Sequence, residues 1–400
     1  HPNLFINLSF KQIMDLNELK NNIKQLVLKE GAKLVGVGSR KRLKDAPESA
    51  NMDYCLPGAQ SCIVWAFPNP IDALENFFSK KERMSIKRAQ QIGYAGSWRT
   101  SMILAKFIEE NTDYKAFPVI PNAKYRPRSD LPETVRGDIR YPDFSLRFGA
   151  VAAGLGHLGW SGNLVTKEYG GSLYLGGVLT TAPLAPDPMA EENNCNKCKI
   201  CTKVCTTGYF SENEEEDMQP IIIAGQKETY AKRGTFSQCG IGCAGWYGLS
   251  LDGTWSTWTP GHVCLKDIPE ENWRNSEFRR DLFGKILMNN NLPENMKRFN
   301  QKIARSFGNA GRLENVGLRD FVDTNPRCGN CNFICVADPR KRKELYSMLI
   351  NSGKVYIDEE GKEFVKKNDE NGKEIVYYPP SQESFFTKEE LEEMDSFRKI

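Results

Sequence analysis

The residues of this 400-residue chain best suited to chemistry are its twelve cysteines, set against only three histidines, His1, His157 and His262. Cys195, Cys198, Cys201 and Cys205 form a C-x2-C-x2-C-x3-C run, the spacing with which bacterial-type ferredoxins ligate [4Fe–4S] clusters. The reason is reach. Two-residue gaps let one loop wrap three irons of a cubane, while the last thiol points away toward a second cluster. Cys328, Cys331 and Cys335 repeat this cadence with its first member missing. Disulfides between cysteines so close in sequence have poor geometry. Zinc ribbons use paired C-x2-C knuckles, and three histidines leave little for two-His zinc chemistry.

Two clusters need eight thiolates, and the two runs supply seven. Ferredoxin logic gives Cys195, Cys198, Cys201 and Cys335 to one cluster and Cys205, Cys328 and Cys331 to the other. The eighth ligand is one of Cys264, Cys239 and Cys243, with Cys264 favoured as nearest in sequence to the second run. Cys239 and Cys243 share a glycine-rich stretch that reads equally well as a tight turn. Cys62 sits in the apolar run Cys62–Phe67 and reads as a packed thiol, and Cys55 reads as a structural thiol.

The elements that must position these groups are those of a globular chain. It is 40% hydrophobic and 26% charged, with 54 basic and 51 acidic residues, a balance that does not advertise nucleic acid. No apolar run is long enough to span a membrane. Asp15 to Glu18 reads as a helix-capping box ahead of Leu16, Leu19, Ile23, Leu26 and Val27 at helical spacing. Residues 34–37, 62–67 and 172–180 read as strands, the last with a glycine pair where a cofactor or another backbone approaches. Ile103, Leu104, Phe107 and Ile108 mark a second amphipathic helix, and prolines 183, 186 and 188 a linker. The expected divisions are a helix–strand unit at 1–50, an α/β core at 51–190, a cluster module at 191–345 with an insertion at about 207–320, and a strand-turn and tail at 346–400. No G-x-G-x-x-G follows a strand, which argues against a dinucleotide domain.

The segment from Gly154 to Thr166, Gly-Leu-Gly-His-Leu-Gly-Trp-Ser-Gly-Asn-Leu-Val-Thr, resembles the glycine segment of the corrinoid iron–sulfur reductive dehalogenases and of the epoxyqueuosine reductases. Lys167 to Gly171 and then the cysteine run follow it, as in those proteins. The likeness extends over residues 55–350 and is nearest to the dehalogenases of small chlorinated alkanes such as chloroform and trichloroethane. It implies a nitroreductase-like, mixed α+β or α/β corrinoid-binding core followed by a ferredoxin-like two-cluster module. It also implies a base-off cobalamin and two [4Fe–4S] clusters as cofactors. The chain lacks the Asp-x-His-x-x-Gly signature that supplies a lower histidine to cobalt elsewhere. Corrinoid contacts are expected from Gly154, Gly156, His157, Asn163, Lys167, Tyr169 and Gly170.

By the same resemblance Tyr94 is the proton donor, electrons pass through the clusters to cobalt, and hydrogen replaces chlorine on carbon. The family's assisting Lys or Arg is replaced here by Trp160, which with Trp98 is expected to line an apolar substrate pocket. The implied partners are a small halogenated substrate, a low-potential electron donor and a small membrane-anchor protein, with no nucleic acid. Twin-arginine export to the outer face of the cytoplasmic membrane is implied, peripheral and without a membrane span; a start at His1 rather than Met fits processing. The alternatives are an epoxyqueuosine-reductase-like enzyme acting on tRNA and a corrinoid-reactivating electron-transfer protein.

Overall fold

The computed structural model describes residues 14–121, 125–127, 140–214, 219–287 except 244, 264 and 267, and 328–380, together with 297 and 389. Its centre is a four-stranded sheet of β1 (Leu34–Ser39), β2 (Ser61–Pro68), β3 (Ala116–Val119) and β4 (Leu173–Thr180), in the order β1-β2-β4-β3. Every neighbouring pair is antiparallel. The mixed composition expected from the sequence is therefore an α+β arrangement, because helices interleave with strands that do not run parallel.

Alternation along the strands sends side chains to two different cores. Ile63, Trp65, Phe67, Tyr174 and Val178 face one side, where they meet Leu19, Ile23 and Val27 of α1 (Leu16–Lys29). Leu104 and Ile108 of α4 (Ser97–Asn111) join the same core. Cys62, Val64, Ala66 and Leu179 face the other side, against Ala150 and Val151 of α5 (Leu146–Ala152). The Asp15 carboxylate accepts from the amides of Asn17 and Glu18 at 2.8 and 2.9 Å, the expected cap on α1. Cys62 is fully buried, and burial pushes its thiol up to about 12, so it behaves as a small apolar side chain.

The glycine pair of β4 answers close approach. A Cβ at Gly176 would stand 2.5 Å from the Trp65 indole nitrogen, and one at Gly177 would stand 2.7 Å from Leu146 and 2.9 Å from the backbone carbonyl of Ile63. Side chains from both cores and the neighbouring strand's backbone press on the strand there. Between α3 (Met84–Gln91) and α4, the chain makes a π-helical turn over Ile92–Gly96, the kind of local widening that gathers at functional sites. Helix α6 (Pro339–Ile350) follows the second cysteine run and packs on α2 (Ile71–Phe78). A three-stranded antiparallel sheet over 354–377 comes after it. Among the described residues no helix is long and apolar enough to cross a membrane.

Candidate functional site

The first cysteine set assembles around the 195–205 loop. Lys197 and Lys199 adopt left-handed backbone conformations, φ 52° and 56°, which non-glycine residues enter only where the surroundings require it. These two reversals curl the loop, and a single helical turn, Ile200–Lys203, carries Cys201 inward. Burial and the charges of Cys335, Cys195 and Cys198 together push the Cys201 thiol up to about 12. The cavity they share is also lined by Gly159, Trp160 and Arg342.

The glycine segment forms the wall of this set. A Cβ on Gly159 would lie 3.5 Å from Cys195 Sγ, and one on Gly171 would lie 3.3 Å from Cys335 Sγ. The Gly171 amide donates to the Cys335 carbonyl at 2.6 Å. Gly170, at φ 64°, has no room for a side chain because a Cβ would meet that carbonyl at 2.2 Å. Gly154 and Gly156 are likewise closed by backbone, the carbonyls of Pro188 and Val165. Trp160 is buried here. Its amide donates to Cys195 Sγ at 3.3 Å, its indole to the Ser211 carbonyl at 3.1 Å, and Lys199 lies over its ring. Asn163 accepts from Arg147 at 3.5 Å, Tyr169 is held by the Thr166 hydroxyl through its amide at 3.1 Å, and Lys167 is exposed.

His157 has both ring nitrogens engaged, Nδ1 with Glu228 at 2.7 Å and Nε2 with the Ala190 carbonyl at 3.1 Å. Two acceptors call for two N–H groups, so the imidazolium is the form this site holds. The Glu228 carboxylate holds the His157 pKa above the ordinary histidine value. Glu228 also accepts from the Leu158 amide at 2.9 Å, which fixes the segment to the strand pair at 221–228.

The second set draws on three separate stretches. Cys205 accepts from the Tyr209 amide at 3.3 Å. Cys239 and Cys243 lie one helical turn apart with their sulfurs at 3.6 Å, and Cys243 also bonds to Cys328. Burial and the neighbouring charges of Cys239, Cys328, Cys205 and Cys201 push Cys331 well up. Five thiols thus meet where four are needed, Cys239 and Cys243 both among them. Cys264, favoured on sequence distance, lies outside the described residues.

These thiols fit metal clusters for a chemical reason. Burial and mutual repulsion oppose ionisation of Cys201, Cys331 and Cys335, and only cations among them would make them thiolates. Among the described residues no three His, Cys, Asp or Glu side chains converge on one point as a lone ion requires.

Tyr94 occupies a different place, on the π-helical turn. Its ring meets Tyr174 edge-on at 4.7 Å, and Gly93 permits this because a Cβ there would strike Tyr174 at 2.2 Å. Burial pushes the Tyr174 phenol well above its ordinary value. Along this sheet face the Tyr174 hydroxyl, the Trp65 indole nitrogen and the Ser97 hydroxyl are buried without a hydrogen-bond partner among the described residues. Asn69 faces Tyr174 outside hydrogen-bond geometry. Buried polar groups are seldom left so. Trp98 lies half-buried on the first turn of α4, next to Ser97.

Residues that the sequence reading missed include Glu228, Arg342, Tyr174, Trp65 and Ser97. Cross-strand pairing could have found Trp65 and Tyr174, which alternate onto one face. Glu228 and Arg342 carry no local signal for these roles, since Glu228 pairs with His157 and Leu158 and Arg342 reaches Cys198, all 70 or more residues away.

No protein-family model matches the chain. Among curated proteins it is similar to the epoxyqueuosine reductase of Bacillus cereus, 26% identical over 183 residues, 44% of this chain and 43% of that protein. The chain thus spans less than half the length of that relative. Similar solved structures include a reductive dehalogenase described with a mechanism for B12-dependent dehalogenation, 15% identical, covering 78% of this chain and 38% of that one, TM-score 0.42. Another is an epoxyqueuosine reductase with an epoxyqueuosine-modified tRNA-Tyr stem loop, 17% identical, covering 49% and 53%, TM-score 0.31. The expectation that nucleic acid is no partner is corrected by this finding, because the curated relatives are named for epoxyqueuosine reduction and one such structure holds tRNA. Balanced net charge was a poor guide, since it averages over the surface on which a local basic patch would sit. Both kinds of similar protein are oxidoreductases.

Proposed function

We propose that the chain is an iron–sulfur reductase with two [4Fe–4S] clusters feeding a corrinoid. One observation carries this reading: the two cysteine runs, more than a hundred residues apart, interleave so that Cys335 joins the 195–201 set while Cys205 joins the 328–331 set. This exchange is the ferredoxin arrangement. Cys331 lies within electrostatic reach of Cys201, so the two sets are neighbours and suit stepwise electron passage.

The Tyr94 face is where the residues would hold the corrinoid, with the Tyr174, Trp65 and Ser97 donors toward its polar edge. When bound, such a cofactor supplies strongly reducing two-electron chemistry at carbon. The chain's own part is to exclude water, through the buried aromatic face, and to move a proton. Tyr94 would hold that proton on its phenolic oxygen and release it to the substrate as electrons arrive. A phenol near pKa 10 donates only when positioned close to its acceptor.

Two substrates are compatible. The curated relatives favour an epoxide-bearing tRNA nucleoside over a chlorinated alkane. Converting an epoxide to an alkene takes two electrons and two protons, the oxygen leaving as water, whereas replacing chlorine by hydrogen takes two electrons and one proton, chloride leaving. A proton held at Tyr94 would go to oxygen in the first case and to carbon in the second. Trp160, at the position where the resemblance puts a cation, lies in the wall of the first cysteine set with Lys199 over its ring, and so lends the chloroalkane reading no support. Anaerobic protein with reduced viologen should be offered epoxyqueuosine-containing tRNA stem loop and, separately, chloroform. Queuosine formation supports the first substrate and chloride release the second. Protein loaded with iron and cobalt that does neither would overturn the reductase reading.

A further inference from the structure

We infer that Arg342 sets the reduction potential of the first cluster, an inference that rests on reading Cys195, Cys198, Cys201 and Cys335 as its ligands. Arg342 projects from the first turn of α6 and is only 3% exposed. Its Nη1 donates to Cys198 Sγ at 3.3 Å and to Asn196 Oδ1 at 2.9 Å. Its Nε and Nη2 donate to the Val336 carbonyl at 3.1 and 2.8 Å, one residue past Cys335. The guanidinium therefore ties the two cysteine runs together at the edge of the first set.

Its charge has one kind of counterpart. Among the described residues no carboxylate pairs with Arg342, and the groups that favour its charged form are the sulfurs of Cys335, Cys198 and Cys195. A buried cation without a partner is costly, so the negative thiolates of the loaded cluster are its counter-charge. A cluster gains one negative charge on reduction. A fixed positive charge and an N–H···S hydrogen bond both stabilise that added charge, and so raise the potential. At the second set the sulfur hydrogen bonds of Cys205 are with the Tyr209 amide and Thr207, and Arg147 and Arg233 act on Cys239 through their charge. Arg342 thus raises the potential of the first cluster by a bond made directly to one of its sulfurs.

Redox titration of anaerobically loaded full-length protein, followed by electron paramagnetic resonance, tests this with Arg342→Gln and Arg342→Lys. Wild-type iron near eight per chain checks the cluster reading itself; failure there would sink that reading rather than the role of Arg342. The expected result is full iron in the variants, with one cluster's potential shifted negative and the other's unchanged. The shift should be larger for Gln than for Lys, which retains the charge. Unchanged potentials with full iron overturn the inference, as does loss of one cluster in both variants, since Arg342 would then serve assembly. If only Arg342→Gln fails to load, an unshifted Arg342→Lys overturns it.

Discussion

The two cysteine sets differ in how they are built. The first is framed by short-range devices: a loop curled by left-handed Lys197 and Lys199, and glycines 159, 170 and 171 that let backbone close on sulfur. Only Cys335 arrives from far away. The second set is a convergence of distant pieces, Cys205, the 239–243 turn and the 328–331 turn, and holds more thiols than one cubane uses. A framed site tolerates little change in its wall, whereas a converged site has alternatives among its ligands.

The largest test of this contrast removes a ligand from the framed set. Cys335→Ser should cost about four of eight irons, read by iron analysis, because among the described residues the cavity is lined by Cys195, Cys198, Cys201 and Cys335 and by no fifth cysteine. A variant with full iron would show that the first set also has a spare. In the second set, Cys239→Ser and Cys243→Ser should differ. One should lose about four irons and the other should keep all eight, since a cubane takes four of the five thiols. Equal loss from both would show that neither is spare.

The wall comes next. His157→Leu leaves Glu228 buried and uncompensated and should destabilise the chain by roughly 3–5 kcal/mol, measured by denaturant unfolding. The same pair gives a pH dependence. The folded pKa of His157 is raised by Glu228, so its contribution is complete below the unfolded value of about 6.5. That contribution should then fall as pH rises through the higher folded value, and Glu228→Gln should flatten the profile. Smaller still, Gly170→Ala should cost about 1–3 kcal/mol, from its positive φ and from the carbonyl of Cys335 that its Cβ would meet. A matching change at Gly240, where a Cβ meets nothing within 4 Å, should cost much less.

The same contrast explains what could be read from the sequence. The capped helix α1 is a local pattern, and the structure shows it as expected. Strands 62–67 and 172–180 are local readings too, and both are central strands. The antiparallel order of the sheet was not legible, because pairing joins residues a hundred positions apart. Neither was the destination of the glycine segment. Its glycines signalled close approach, and protein backbone and sulfur approach at Gly159, Gly170 and Gly171. Cys264, favoured on sequence distance, lies outside the described residues, and the helix that carries Cys239 and Cys243 brings both thiols near Cys328, which distance along the chain cannot foresee. Tyr94 was named by resemblance, and its partner Tyr174 emerged only when the π-helical turn carrying Tyr94 packed on the strand that carries Tyr174.

The central claim is that two interleaved thiol sets hold two clusters, and the most direct measurement is the iron content and reduced-state electron paramagnetic resonance of the anaerobically loaded chain. Two interacting [4Fe–4S] signals with about eight irons are the predicted result. A single cluster signal, or stoichiometric zinc in place of iron, would contradict it.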